Sequence, residues 1–382
     1  MTARADDTWY GWAESWYACV FGEVRQSDYE VVAPNAGSAA APTFGNVSTV
    51  GVCAEHNEAH RRYMENAYAI VNGLGGELDT LFVGVYDGHG GVQCADATSE
   101  QLHTLLSQAM ADNLPYGGVV EYSRTHPVTL GREAEADPAM VGLAFDDDDE
   151  EEEEEAASAG AAAGGHLAAE LDADGSLKKR PPPEPLPLPS DAVLRAFVEA
   201  FHGTDRYIAD KGLGEECGTA GAACIIVGGG EGGGDRSIYA ANVGDCRVVV
   251  SDQGQAVRMT RDFKPNDKDE LRRIKKQGGF VFRGRTLGFL NLSRALGHTS
   301  LKEYILGTPK TSSMRLGVGC TWVVVACDGL WGYMSDQEVV DFVEREHAAD
   351  RSLTGDDMSR LLVEQALLHR SRDNITVVCV QL

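Results

Sequence analysis

The 382-residue chain contains no C-x-x-C pair, and its nine cysteines are scattered. An odd, unclustered set does not make the framework of a disulfide-stapled secreted domain and reads as reduced thiols in an intracellular protein. No apolar run is long enough to span a bilayer. Charged residues interrupt the N-terminal stretch, so no secretory signal is expected, and Met1-Thr2 excludes N-myristoylation. The glycine-rich stretch from Gly228 to Gly234 lacks the Gly-Lys-Ser/Thr ending of a phosphate loop and reads as a flexible hairpin. Positive charge is scarce: 33 Lys and Arg stand against 59 Asp and Glu, a net charge of −26. That balance argues against nucleic-acid backbones and anionic membranes as partners. Ten of the acids form one run, Asp146 to Glu155, so a net charge of −16 remains outside it and the acidity is general. The expected location is the cytoplasm, with the nucleus as the alternative, and the expected state is a monomer.

Hydrophobic content of 43% supports a substantial core. Residues 1–43 form a leader with Trp9, Trp12 and Trp16 at helical spacing, suited to packing on a domain surface or to docking. Residues from about 112 to 189 are foreign in composition. They hold the acidic run, an Ala/Gly stretch (Ala156 to Gly165), the triplet Lys178-Lys179-Arg180 and a proline tract (Pro181 to Pro189). Such a segment cannot bury enough apolar surface to offset its ordering entropy and reads as a disordered insertion. Linker is the plain reading of its triplet and prolines; a nuclear signal and an SH3-type ligand are the sharper ones.

The remainder of 44–382 reads as one globular domain. Val92 to Met110 is a helix candidate. Ser190 or Asp191 caps a helix with Val193, Leu194, Phe197, Val198 and Phe201 on one face. Ala220 to Val227 and Ser237 to Ser251 read as strands. Ser335-Asp336-Gln337-Glu338 is a capping box opening a helix. Asp356 to His369 is an amphipathic helix, and Asn374 to Leu382 a closing strand. Strands that follow one another through short turns predict an α+β fold of packed antiparallel sheets with helices outside.

Two Asp-Gly pairs close apolar runs: Leu81-Phe82-Val83-Gly84-Val85-Tyr86-Asp87-Gly88-His89-Gly90-Gly91 and Trp322-Val323-Val324-Val325-Ala326-Cys327-Asp328-Gly329. A third Asp stands in Ser371-Arg372-Asp373-Asn374, ahead of a β-branched run. Asp-Gly after a strand is usually only a turn. Here, however, three strands would deliver carboxylates to one sheet edge, where they repel unless cations neutralise them. Gly88 lets its carbonyl approach a cation. Arg61-Arg62-Tyr63-Met64-Glu65 adds a further carboxylate and an oxyanion-binding arginine. His89 adds a group that titrates near neutral pH.

This set resembles the metal-dependent protein phosphatases, type 2C, which act on phosphoserine and phosphothreonine. The resemblance extends over about 44–111 and 191–382. Gly45 to Gly51, Gly218-Thr219-Ala220, Asn242-Val243-Gly244-Asp245-Cys246-Arg247, Asp262-Phe263-Lys264-Pro265 and Ser293-Arg294-Ala295-Leu296-Gly297 match further landmarks in order. It implies an αββα sandwich: two packed antiparallel β-sheets flanked by helices on both outer faces, with a flap at about 264–306. It implies two central Mg²⁺ or Mn²⁺ ions bridged by Asp87, one served by Glu65 and the Gly88 carbonyl, the other by Asp328 and Asp373. Asp245 belongs to a weaker third metal position. Arg61 holds the substrate phosphate, with Arg62 the lesser candidate, and His89 is the general acid. Phosphoprotein substrates follow.

Three positions depart from the family pattern: Asn66 where Met-Glu-Asp is usual, Gly332 in Asp328-Gly329-Leu330-Trp331-Gly332, and His298 after Gly297. The first two remove acids near the metals; the third reads as structural. They favour a rival reading, a pseudophosphatase acting as a binding scaffold. A cysteine phosphatase is a second rival, because Cys19-Val20-Phe21-Gly22-Glu23-Val24-Arg25 fits C-x-x-G-x-x-R. The helix that loop needs is absent from the pattern of 26–37. Asp172-Ala173-Asp174-Gly175-Ser176 sits in low-complexity sequence without a preceding strand and reads as chance.

Overall fold

Strand β3 (Thr80–His89) shows how the layers are built. Leu81, Val83 and Val85 face one apolar cluster, while Phe82 and Tyr86 face another. This is the two-residue alternation of a strand buried on both faces. The computed structural model describes residues 47–74, 80–113, 128–131, 190–228 and 236–382. The leader, the Cys19 loop, the acidic run, the Asp172 motif and most of the glycine hairpin lie outside these residues. The chain divides into two compact units, and every described residue belongs to the first, residues 1–134 and 186–382.

One sheet has the order β1 (Thr49–Glu55), β14 (Ile375–Gln381), β13 (Cys320–Ala326), β7 (Arg247–Asp252), β8 (Gln255–Arg258). The other has the order β12 (Lys310–Leu316), β6 (Arg236–Val243), β5 (Gly218–Val227), β3, β2 (Ala67–Asn72), β4 (Val128–Gly131), with β11 (Leu296–Gly297) on β5. Every pairing in both sheets is antiparallel. Val83, Val85, Ala222, Cys224, Val323, Val325, Val378 and Val380 fill the space between the sheets. Helices α1 (Gln93–Asn113) and α2 (Ser190–Asp210) cover the second sheet, with Leu102, Leu106, Phe197 and Phe201 against Phe82 and Tyr86. A basic helix, α3 (Lys268–Lys276), and the β9–β10 hairpin (Val281–Phe282, Arg285–Thr286) lie within the stretch read as a flap. A helical turn, α4 (Asp328–Trp331), leads to α5 (Asp336–Ala349) and α6 (Gly355–Leu368), which cover the first sheet through Val340, Val343, Met358 and Leu362. The result is the αββα sandwich.

The Ser335–Glu338 capping box forms as the sequence predicts, and Thr354 with Asp357 makes a second. Three local readings change. The run from Ser237 to Ser251 is two strands in different sheets, broken at Gly244, whose φ of +77° suits only glycine without strain. Strand β3 does not stop at Asp87 but pairs on through Gly88 and His89 with Thr219 and Gly218. Strand β4 falls inside the segment read as insertion and pairs with β2; its Val128-Thr129-Leu130 core is β-prone but too short to stand out from its surroundings.

Candidate active site

The antiparallel connections bring five segments to one end of the sandwich. Asp87 continues the inward face of Val83 and Val85 on β3. Asp328 follows β13, and Asp373 precedes β14, its antiparallel partner. Asp245 sits in the turn where the chain passes between sheets from β6 to β7. Glu65 lies just ahead of β2, against the strand that carries Asp87.

These acids sense one another. Burial raises Asp87 well above the usual carboxylate range, and the charges of Asp328, Asp373 and Asp245 push it further. Asp328 is raised to about 7, first by burial and then by Asp245 and Asp373, while a hydrogen bond with Asp87 pulls the other way. Among the described residues the buried Oδ1 of Asp328 has no hydrogen-bond partner. Gly88 is packed against the Glu65 carbonyl oxygen, which a Cβ there would strike. The Gly91 N–H donates to Glu65 Oε1 at 2.6 Å, fixing that side chain.

Two cations partly offset the cluster. Arg61 Nη2 donates to Asp373 Oδ2 at 2.6 Å with its side chain about half exposed. Arg62 instead lies over the Tyr63 ring, 5.2 Å from its centroid, which separates the two neighbouring arginines. Lys264 Nζ donates to the buried Asp245 at 2.5 Å. Among the described residues no trio of His, Cys, Asp or Glu side chains converges on one point as a bound ion would draw them. The donor set still fits hard cations. It is all oxygen, it carries excess negative charge, and it includes an orphaned buried carboxylate atom.

His298 packs against His89. Its Nε2 lies 2.6 Å from Nε2 of His89, and the rings stack with centroids 4.8 Å apart. Burial holds His89 at about 4, against a backbone hydrogen bond to Asp87 that raises it. Burial and His89 hold His298 at about 3. Only one proton fits on the line between the two nitrogens, so one ring donates to the other. Sequence spacing could not pair residues 209 positions apart. Lys264 was legible only as part of a landmark motif.

Asn66 does not point freely into the acids. It is 1% exposed and donates to Thr376 Oγ1 at 3.2 Å and Cys327 Sγ at 3.4 Å. Gly332 caps α4 in a right-handed conformation, where an added Cβ would meet only the Asp328 carbonyl, at 2.9 Å and beyond.

A sandwich of two antiparallel sheets between helix pairs, with acids gathered at one end, is the architecture that the resemblance to type 2C phosphatases implies. A family model described as Protein phosphatase 2C matches residues 147–375. The chain is 29% identical over 333 residues to Protein phosphatase 2C homolog 1 of Schizosaccharomyces pombe, covering 87% of this chain and 72% of that protein. It is 25% identical to Protein phosphatase 2C homolog 1 of Saccharomyces cerevisiae, covering 87% and 92%. A higher identity, 37%, to Probable protein phosphatase 2C 22 of Arabidopsis thaliana covers only 43% of each chain. Among solved structures, serine-threonine phosphatase 2C from Toxoplasma gondii superposes with a TM-score of 0.57 at 17% identity, over 92% of this chain and 98% of that one, a likeness of fold. The chain belongs to the protein phosphatase 2C family and is a protein serine/threonine phosphatase by class.

Proposed function

We propose that this protein hydrolyses phosphoserine and phosphothreonine in proteins with water activated by two central Mg²⁺ or Mn²⁺ ions. The observation that supports it most is the meeting of Asp87, Asp328, Asp373 and Asp245, from separate elements, in mutual electrostatic contact. Asp87, Glu65, the Gly88 carbonyl, Asp328 and Asp373 would hold the ions. When bound, such ions lower the pKa of water toward neutrality and polarise the phosphoryl oxygens. The protein's own groups do the rest. Arg61, released from Asp373, presents a fork of N–H donors to the non-bridging oxygens. The His89–His298 pair holds a proton beside the leaving serine or threonine oxygen. Gly91 fixes Glu65, so the donor set is oriented before substrate arrives. Release of phosphate from a phosphothreonine peptide with Mn²⁺ or Mg²⁺, and none in excess chelator, is the expected result; undiminished turnover in chelator sinks the metal mechanism.

Arg61→Ala is expected to lower kcat/KM by about tenfold to a hundredfold through loss of a charge-assisted fork. Arg62→Ala should stay within about twofold. Steady-state kinetics on one peptide compares them, and equal losses at both positions would undo the assignment of the phosphate to Arg61.

A scaffold without turnover is the second reading, favoured by a specific contact: Asp245 is already neutralised by Lys264, and no acid stands at 66 or 332. The third metal position should therefore be weak, since a hard cation loses affinity with each anionic ligand removed. Activity should saturate only at high metal concentration and prefer Mn²⁺. Gly332→Asp sets its Cβ 2.9 Å from the Asp328 carbonyl oxygen, so the backbone there must shift; in a variant that melts as the parent does, the half-maximal metal concentration should fall by about threefold or more. Asn66→Asp is the poorer test, because it removes the donor to Thr376 and Cys327. A folded Gly332→Asp protein with the parent's metal titration would show that this departure does not tune the site. No turnover at saturating Mn²⁺ in either protein would leave the scaffold reading.

A further inference from the structure

Cys94 and Cys217 are 123 positions apart, yet their Sγ atoms lie 3.1 Å from each other, and both side chains are buried. Cys94 is in the first turn of α1; Cys217 immediately precedes β5. A disulfide has S–S near 2.05 Å, so small side-chain rotations would close the gap of about 1 Å. Both thiols also hydrogen-bond within the short segment that covers them: Cys217 Sγ to the Leu213 carbonyl at 3.0 Å, and Cys94 Sγ to the Cys217 carbonyl at 3.4 Å.

From this geometry we infer that Cys94 and Cys217 are a redox-active pair, oxidised to a reversible disulfide by small hydroperoxides. The two thiols are chemically unequal. The hydrogen bond from Cys94 holds Cys217 down to about 7, while the same bond and burial hold Cys94 far above a free thiol. Cys217 is thus the attacking sulfur at neutral pH. Its thiolate takes one oxygen from the hydroperoxide, giving a sulfenic acid and, after protonation, an alcohol or water. Cys94 sulfur then attacks the sulfenic sulfur. The S–S bond forms, and the hydroxyl leaves as water with the Cys94 proton. Two thiols lose two electrons in all, and the peroxide O–O bond accepts them. Glu215 and Glu216, in the covering segment, are exposed, so local opening of a short surface stretch gives the oxidant access.

The pair lies under the His89–His298 contact. The Cys217 carbonyl accepts from the His298 N–H at 2.9 Å, and Gly214 in the same segment accepts from the Thr299 N–H at 2.7 Å. On the other side, a Cβ at Gly91 would stand 3.5 Å from the Cys217 Cβ, and Gly91 is the residue that fixes Glu65. A disulfide therefore ties the start of α1 to the backbone that anchors His298. The bond itself rests on the thiol geometry, whatever the site turns over.

The full-length parent, Cys94→Ser and Cys217→Ser would be treated with a few equivalents of hydrogen peroxide, then with dithiothreitol. Non-reducing peptide mapping should show one intramolecular link joining the peptides of residues 94 and 217, lighter by two hydrogens and lost on reduction. The oxidised parent should melt higher than the reduced one, because the link closes a long loop in the unfolded chain. Neither variant should show the link or the rise. The imidazole proton resonances of His89 and His298 should move on oxidation in the parent alone. If Cys94→Ser does not fold, Cys94→Ala and the parent's own peptide map decide the matter. Links between other cysteines, a covalent dimer, or sulfinic acid at Cys217 without a link would overturn the pairing. An intact link with unmoved histidine resonances would overturn the tie to His298.

Discussion

Asp87→Asn should cut phosphopeptide turnover at least about a hundredfold, and Asp328→Asn should do the same. Each change keeps the side-chain shape and removes one anionic oxygen donor. A hundredfold is about 2.7 kcal/mol of transition-state stabilisation. That is a modest demand on a carboxylate whose neighbours Asp328, Asp373 and Asp245 already act on it electrostatically. Asparagine can still offer a carbonyl, so some turnover at very high Mn²⁺ is compatible with the mechanism. The informative measurement is therefore kcat across a full metal titration, with thermal melts to show that each variant is folded. A variant with the parent's kcat and metal dependence would mean that Asp87 does not hold the ions. Cys19→Ser should leave kcat unchanged in the same assay, because no cysteine attacks phosphorus in the proposed hydrolysis; trapping of a phosphocysteine would reverse that choice.

The fold was largely readable where periodicity is local. The alternation of Leu81 to Tyr86, the capping box at Ser335 and the apolar face of α2 each specify an element within a few residues, and each forms. Asp87, Asp328 and Asp373 were readable as a group because each flanks a strand. What stayed hidden depends on distant partners. The strand after Arg236 breaks at Gly244 because the chain must cross between sheets, a demand of the sandwich rather than of local composition. β3 continues past Asp87 because β5 supplies partners for Gly88 and His89. His298 looked like a lost acid until the fold set it against His89, and Lys264 looked like a landmark until it met Asp245. Such pairs depend on tertiary contact, which single-sequence spacing does not carry.

The metal-free protein should lose stability as pH rises above about 6.5, and divalent metal should restore it. Asp328 is held at about 7 and Asp87 well above its ordinary value in the folded chain. In the unfolded chain both titrate near 4. Between those limits the folded state binds more protons, so its advantage is complete below the unfolded pKa and disappears as pH rises through the folded one. His89 and His298 act oppositely. They are held at about 4 and about 3, so the folded state binds fewer protons than the unfolded one up to roughly 6.5. The two effects compete below that pH. Above it the aspartates are opposed by the Cys217 thiol, which is held at about 7 and makes the folded state bind fewer protons than the unfolded one, and both variant and parent keep that thiol. Asp356, held at about 6 by burial, works in the same direction as the aspartates but has no part in the cluster. The double variant Asp87→Asn, Asp328→Asn retains Asp356 and both histidines, so the difference between parent and variant isolates the pair. Melting temperatures in chelator should fall from pH 6.5 to 8 in the parent and stay flatter in the double variant, which should be the more stable of the two at pH 8. Added Mn²⁺ at about a hundred times its dissociation constant is worth about 2.7 kcal/mol to the folded state. For a domain of this size that is a rise of roughly 5 °C or more. It should be larger at pH 8 than at pH 5.5, because protons compete for the same oxygens, and nearly absent in the double variant. A parent that is flat above pH 6.5 and unmoved by Mn²⁺ would mean that these carboxylates neither repel one another nor hold the ions, and the proposed mechanism would lose its foundation.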